Sequence, residues 1–156
     1  PIDDRLFSGI EFAKWPGRVQ FIDKGKLLNY RDARPIWIDG AHNSHSATAL
    51  AATLAKITGE KWTLIAGMLE TRKPDDIFMP LKNLISEIFT ITIPDQVSSL
   101  SAQELSENCQ GLGIKATAKS SLIEALSATS KSEFVVICGS LYLAGHALLL
   151  NNTLPE

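Results

Sequence analysis

Only two cysteines, Cys109 and Cys138, occur in the 156 residues. They fall in a predicted helix and a predicted strand without metal-ligand spacing, which argues against a disulfide framework or a zinc site and for small buried apolar side chains. Long hydrophobic runs are also missing: FVVIC at 134–138 and ALLL at 147–150 are far short of the ~20 residues a membrane span needs, and no charged-then-apolar leader opens the chain. The expectation is a soluble, cytoplasmic protein. With 15 basic and 17 acidic residues, a net charge of -2 and no basic block, there is no electrostatic case for a nucleic-acid partner. Neither a GxxxxGK[ST] loop nor a GxGxxG fingerprint is present, so the chain carries no phosphate cradle of its own. The G-x-S-x-G elbow and the HExxH helix are absent too, which leaves hydrolase and metalloprotease readings without their parts.

What is there fits one globular domain, at 45% hydrophobic and 21% charged residues, with enough apolar side chains for a packed core. An amphipathic stretch, 3–14, runs into Trp15-Pro16-Gly17-Arg18, where proline and glycine break any helix. We read 1–18 as the end of a preceding domain and a linker, and 19–156 as the domain proper. The start at Pro1, in what reads as a continuing segment, suggests a piece of a longer chain. Residues 19–22 and 26–30, flanking Lys24-Gly25, suggest an N-terminal β-hairpin. From there strands at 36–39, 62–67, 87–93, 114–116 and 134–138 alternate with helices at 44–57, 75–84, 102–110, 122–130 and 141–150.

Ala47, Leu50, Ala51, Leu54 and Ile57 share one helix face at steps of three and four. Ser101 with Glu104, and Ser121 with Glu124, have capping-box spacing. TLIAG and FVVIC are apolar on both faces, as a parallel sheet covered on each side requires. The expected fold is therefore a three-layer, Rossmann-like α/β domain: a mostly parallel sheet with helices on both faces, plus the hairpin.

Chemistry concentrates where strands end. In WIDGAHN, residues 37–43, an apolar run closes on Asp39 and Gly40 permits a tight turn before a helix. The carboxylate either projects into the crevice above the sheet, where it can accept from ribose hydroxyls, or caps the helix. His42, beside the same helix N-terminus, can donate or accept a hydrogen bond and steer a substrate carboxylate or amine; its alternative is a structural role. Asn43 suits the helix cap, and His45 reads as surface. At the end of the strand 134–138, Gly139 and Ser140 form either an anion pocket with exposed amides or a simple N-cap. Arg72 and Lys73 follow Gly67-Met68-Leu69 and either meet a phosphate or carboxylate or are solvated. Arg18 suits bidentate phosphate contact.

With Trp15-Pro16-Gly17-Arg18, Asp39-Gly40-Ala41-His42-Asn43, Gly67-Met68-Leu69 and Gly139-Ser140-Leu141-Tyr142 in that order, the chain resembles the C-terminal domain of folylpolyglutamate synthase/dihydrofolate synthase, within the Mur ligases. The resemblance runs over nearly the whole chain. It implies an ATP-dependent ligase in which a folate or pteroate carboxylate is activated as an acyl phosphate and attacked by the amine of L-glutamate. It also implies a larger N-terminal ATPase domain that holds the P-loop and most contacts to ATP and magnesium, no metal ligand in this domain, and no activity for this piece alone. Arg18 and Asp39 then match ATP contacts, to phosphate and ribose. His42 and Ser140 match positions that place the glutamate, which makes His42 the catalytic candidate, as an orienter rather than an acid or base. Two other readings are a cell-wall-precursor Mur ligase domain and a stand-alone small-anion-binding module without catalysis. The chain departs from the usual pattern in Ser44 where proline is common, in Arg72-Lys73 where lysine then aspartate is common, and in a longer segment between Arg18 and Asp39.

Overall fold

A computed structural model describes residues 19–129 and 131–153; the amphipathic stretch 3–14, the linker and Arg18 lie outside them. Six strands, β1 (Gln20–Ile22), β2 (Ile36–Ile38), β3 (Trp62–Ala66), β4 (Ile85–Thr90), β5 (Ala116–Ala118) and β6 (Val135–Cys138), form one sheet in the order β1-β2-β6-β3-β4-β5. All neighbours are parallel except β1, which runs antiparallel to β2 at the edge. Five helices accompany them: α1 (Ser44–Ile57), α2 (Pro74–Leu81), α3 (Ala102–Gly111), α4 (Leu122–Ala128) and α5 (Leu141–Leu150). Among the described residues no helix is long and apolar enough to cross a membrane.

The central strands are apolar on both faces because each face feeds a different core. Along β6, Val136 and Cys138 pack with β3 residues Leu64 and Ala66 and with Leu50, Phe78 and Leu105 of α1, α2 and α3. Val135 and Ile137 pack on the other side with Leu126 and Leu143 of α4 and α5. The alternation of successive side chains across the pleat therefore makes a sheet with helices on both faces, the expected three-layer α/β fold. Both cysteines are free and buried, and burial holds the Cys109 thiol up at about 12. On α1, Ala47, Leu50 and Leu54 are buried as the spacing predicts, but Ile57 in the last turn is 39% exposed.

The N-terminal hairpin is not formed as expected. Residues 26–30 are not a strand; Lys26–Arg31 is a 3₁₀ helix with Leu27, Leu28 and Arg31 buried, and β1 pairs instead with β2, Phe21 opposite Trp37. The cause is a distant partner. Asn151, at the end of α5, accepts from Leu27 N–H at 2.9 Å and donates to the Lys24 carbonyl at 2.8 Å, so one amide of the expected second strand and a carbonyl of its turn are claimed elsewhere. Gly25 sits at φ 124°, and a Cβ there would lie 2.2 Å from the Asn151 amide. The serine caps are half of what the spacing suggests: Ser101 and Ser121 hydroxyls accept from Glu104 and Glu124 amides, both at 3.1 Å. The full reciprocal box forms at Asn43 and Ser46 of α1.

Arg31 anchors this 3₁₀ turn. Fully buried, its guanidinium donates to the carbonyls of Thr129 (3.0 Å), Ser132 (3.0 Å), Pro35 (3.1 Å) and Glu133 (3.3 Å), and to the Thr129 hydroxyl (3.1 Å). Only its Nε lacks a partner. Burial, with Arg34 adding repulsion, lowers its pKa to about 10, so it stays charged at neutral pH, solvated by carbonyl dipoles in place of water. Replacing Arg31 by Met leaves these acceptors dry, and urea unfolding is expected to show a loss of roughly 2–4 kcal/mol. Arg31→Lys, with one compact donor group instead of a fork, recovers less than half of it.

Candidate functional site

The chain leaves β2 and β3 toward helices on one face of the sheet, α1 and α2, and leaves β6, which lies between them, toward α5 on the other. The strand ends therefore part above β6, and an open α/β sheet places its ligand crevice at such a reversal. Backbone bonds stitch the loops there. Asp39 N–H donates to the Ile137 carbonyl at 2.9 Å and Gly139 N–H to the Ala41 carbonyl at 3.0 Å. Gly139 has φ +112°, and a Cβ on it would meet the Gly67 carbonyl oxygen at 2.6 Å. Glycine is required at this crossing on both counts.

A cavity of about 100 Å³ opens at the reversal, lined by His42, Leu69, Arg72 and residues 139–142. His42 Nδ1 lies 2.9 Å from the Gly40 carbonyl. A carbonyl only accepts, so that nitrogen carries the proton and Nε2 is left for a ligand. The imidazole is held by its own turn: His42 and Asn43 amides both donate to the Ser46 hydroxyl, at 3.0 and 3.1 Å, while Ser46 N–H donates to Asn43 Oδ1 at 2.8 Å. Asn43 is thus the cap of α1, as expected. Ser140 caps α5, its hydroxyl oxygen accepting from Tyr142 N–H at 3.0 Å. The hydroxyl hydrogen remains to donate.

His42 and Ser140 are brought to one cavity. Asp39 is not among its lining residues. It does not cap α1, a role Asn43 takes: fully buried, it accepts from Ala41 N–H through Oδ1 at 2.7 Å, the turn-forming bond to the backbone two residues on. Its Oδ2 has no partner among the described residues. Burial pushes its carboxyl up to about 7 from an ordinary 3.8, against the smaller opposing effect of the Ala41 amide. Two lining residues were not singled out from the sequence as cavity partners. Tyr142 carries no signal beyond its place after Gly139-Ser140, and a loop arginine such as Arg72 is more often solvated than engaged with a phosphate or carboxylate. His45 is exposed, as expected. Among the described residues no cluster of three His, Cys, Asp or Glu side chains is arranged to hold a metal.

The family described as "Dihydrofolate synthetase, C-terminal domain" matches residues 26–150. This chain belongs to that family. A folylpolyglutamate synthase of Lacticaseibacillus casei is 28% identical over 140 residues, 88% of this chain and 30% of that protein. A dihydrofolate synthase/folylpolyglutamate synthase of Bacillus subtilis is 27% identical over 90 residues, 57% of this chain and 17% of the other. Among solved structures, folylpolyglutamate synthase of Mycobacterium tuberculosis, complexed with ADP and AMPPCP, matches 90% of this chain and 33% of its own with TM-score 0.74 at 22% identity. A bifunctional folylpolyglutamate synthase/dihydrofolate synthase with Mn, AMPPNP and L-glutamate bound covers 86% of this chain and 31% of its own, with TM-score 0.68 at 24% identity. This chain thus spans about a third or less of the length of the proteins it resembles.

In this domain the buried Asp39 gives a pH signature. Between its ordinary value of 3.8 and about 7 the folded state holds a proton that the unfolded chain has released, so the contribution of Asp39 to stability falls as pH rises through that window and is constant on either side. Asp39→Asn removes the titration. Urea unfolding at pH 4 and pH 8 is expected to show wild type losing on the order of 2–4 kcal/mol relative to the Asn variant; parallel pH dependences would contradict a protonated, buried carboxyl.

Proposed function

We propose that this domain is the glutamate- and ATP-contacting part of an ATP-dependent ligase that joins L-glutamate to dihydropteroate, folate or both through an acyl phosphate. The observation that carries the reading is the cavity above β6. It gathers an imidazole nitrogen, a serine hydroxyl and a guanidinium at a topological reversal, without a carboxylate in its lining. Such a lining suits an anionic small molecule. The family membership names the reaction class, and a fold relative has been crystallised with L-glutamate and a nucleotide analogue bound.

In this reading the amine of glutamate attacks the carbonyl carbon of the acyl phosphate, a C–N bond forms, and inorganic phosphate leaves. In the preceding step a carboxylate oxygen of the acceptor takes the γ-phosphoryl group of ATP, the bond from that phosphorus to the bridging oxygen breaks, and ADP is left in the nucleotide site. An N-terminal ATPase domain elsewhere in the full chain supplies the P-loop and holds ATP. In the same reading that domain also supplies the ligands for magnesium. The contribution of this chain is to hold the amino acid in line, which lowers the barrier by orientation rather than by proton transfer. His42 Nε2 and the Ser140 hydroxyl are the groups that do so. For ATP we assign Arg18 to a phosphate and Asp39 to the ribose. Being buried, Asp39 reaches a hydroxyl through its unpartnered Oδ2 only when the turn 39–42 shifts.

The test is steady-state ligation by the full chain, following ADP release with dihydropteroate or folate as acceptor. His42→Ala and Ser140→Ala are each expected to raise the KM for L-glutamate by roughly 10–100-fold, the worth of one hydrogen bond to a charged group, with the KM for ATP changed less than about 2-fold. An unaltered glutamate KM in both variants would contradict the assignment.

A further inference from the structure

One cation in the cavity has no partner among the described residues. Arg72 is exposed, lines the cavity beside His42 and Ser140, and its guanidinium makes no hydrogen bond or ion pair with the described residues, unlike Arg31, whose two terminal nitrogens donate to four carbonyls. Its backbone, in contrast, is fixed. Leu69 pairs with Ser99 in an antiparallel bridge; Glu70 N–H donates to the Ser98 carbonyl at 2.7 Å, Leu100 N–H to the Met68 carbonyl at 2.8 Å, and Arg72 N–H to the Leu69 carbonyl at 3.1 Å. The segment after β4 therefore braces the segment after β3. A side chain on a braced loop loses less freedom on meeting a ligand than one on a free loop.

We propose that Arg72 reads the side-chain carboxylate of the amino acid that this site accepts, an inference that rests on the ligase reading above. Size selects an arm rather than a whole ligand: the cavity holds about 100 Å³, whereas pockets for whole small molecules run from ~300 Å³ upward. Leu69 and Leu141 give the methylenes apolar walls. The guanidinium offers a planar fork to both carboxylate oxygens, and the Ser140 hydroxyl and the opening amides of α5 add donors. Direction follows from the chemistry. The amine must face an acyl phosphate held by the other domain, so the end of the amino acid that enters this domain's cavity is the end remote from the amine.

The experiment compares L-glutamate with L-glutamine, its side-chain amide, as nucleophile in the full chain, for wild type, Arg72→Gln and Arg72→Lys. Arg72→Gln is expected to lower kcat/KM for glutamate by roughly 50-fold, the worth of a charge-assisted pair, while kcat/KM for glutamine and the KM for ATP stay within about 3-fold. Arg72→Lys, keeping the charge without the fork, recovers part of the loss. Equal losses on both nucleophiles would overturn the proposal, because Arg72 would then read a group the two share. So would an unchanged glutamate constant, or an effect confined to ATP. Each of these leaves glutamate ligation by wild type intact, and with it the parent reading. A wild-type full chain that ligates no glutamate at all removes both.

Discussion

Above β6 two backbones pass too close for a side chain between them. The Gly67 carbonyl sits 2.6 Å from where a Cβ on Gly139 would be, and the Gly139 amide is already donated to the Ala41 carbonyl of the neighbouring loop. This crossing holds the ends of β2, β6 and β3 at fixed separation while their chains depart to opposite faces. The cavity is the space left by that divergence. His42, Arg72 and Ser140 come from three different loops, separated by tens of residues, and meet only because the crossing fixes where those loops start.

Two buried ionisable groups show how differently one fold manages charge. Arg31 is surrounded by carbonyl oxygens and carries its charge as part of the architecture, tying the 3₁₀ turn to the segment that enters β6. Asp39 lies at the opposite end of the same sheet region with one oxygen bonded and one bare. A bare buried oxygen is a standing cost of roughly 1–3 kcal/mol, and such costs collect where a structure serves something other than its own stability. The guanidinium, bonded through both terminal nitrogens, belongs to the scaffold. The half-bonded carboxyl belongs to the turn that presents His42.

The layered fold was legible because the information was local. Strands apolar on both faces and helices with three-and-four spacing read directly, and α1 and α5 begin and end where the pattern sets them. The segment 26–31 was not legible, because its conformation is decided by Asn151 and by carbonyls of residues 129–133, more than ninety positions away. The same holds at the site. Asp39, His42 and Ser140 could be picked out since each follows a strand, but nothing local reports that Asp39 turns inward onto the Ala41 amide. Arg72 reads as one more loop cation until the brace from residues 98–100 is seen. That brace has no counterpart in the sequence, since Ser98, Ser99 and Leu100 act mainly through backbone groups and one hydroxyl that any serine offers.

The central claim is that the cavity above β6 receives the amino-acid nucleophile. A crystal structure of the full chain with ADP and L-glutamate tests it most directly. Glutamate density is expected with its side-chain carboxylate between Arg72 and Ser140, and with its amine directed out of this domain. Glutamate bound elsewhere, or that space closed by side chains while glutamate is bound, would contradict it.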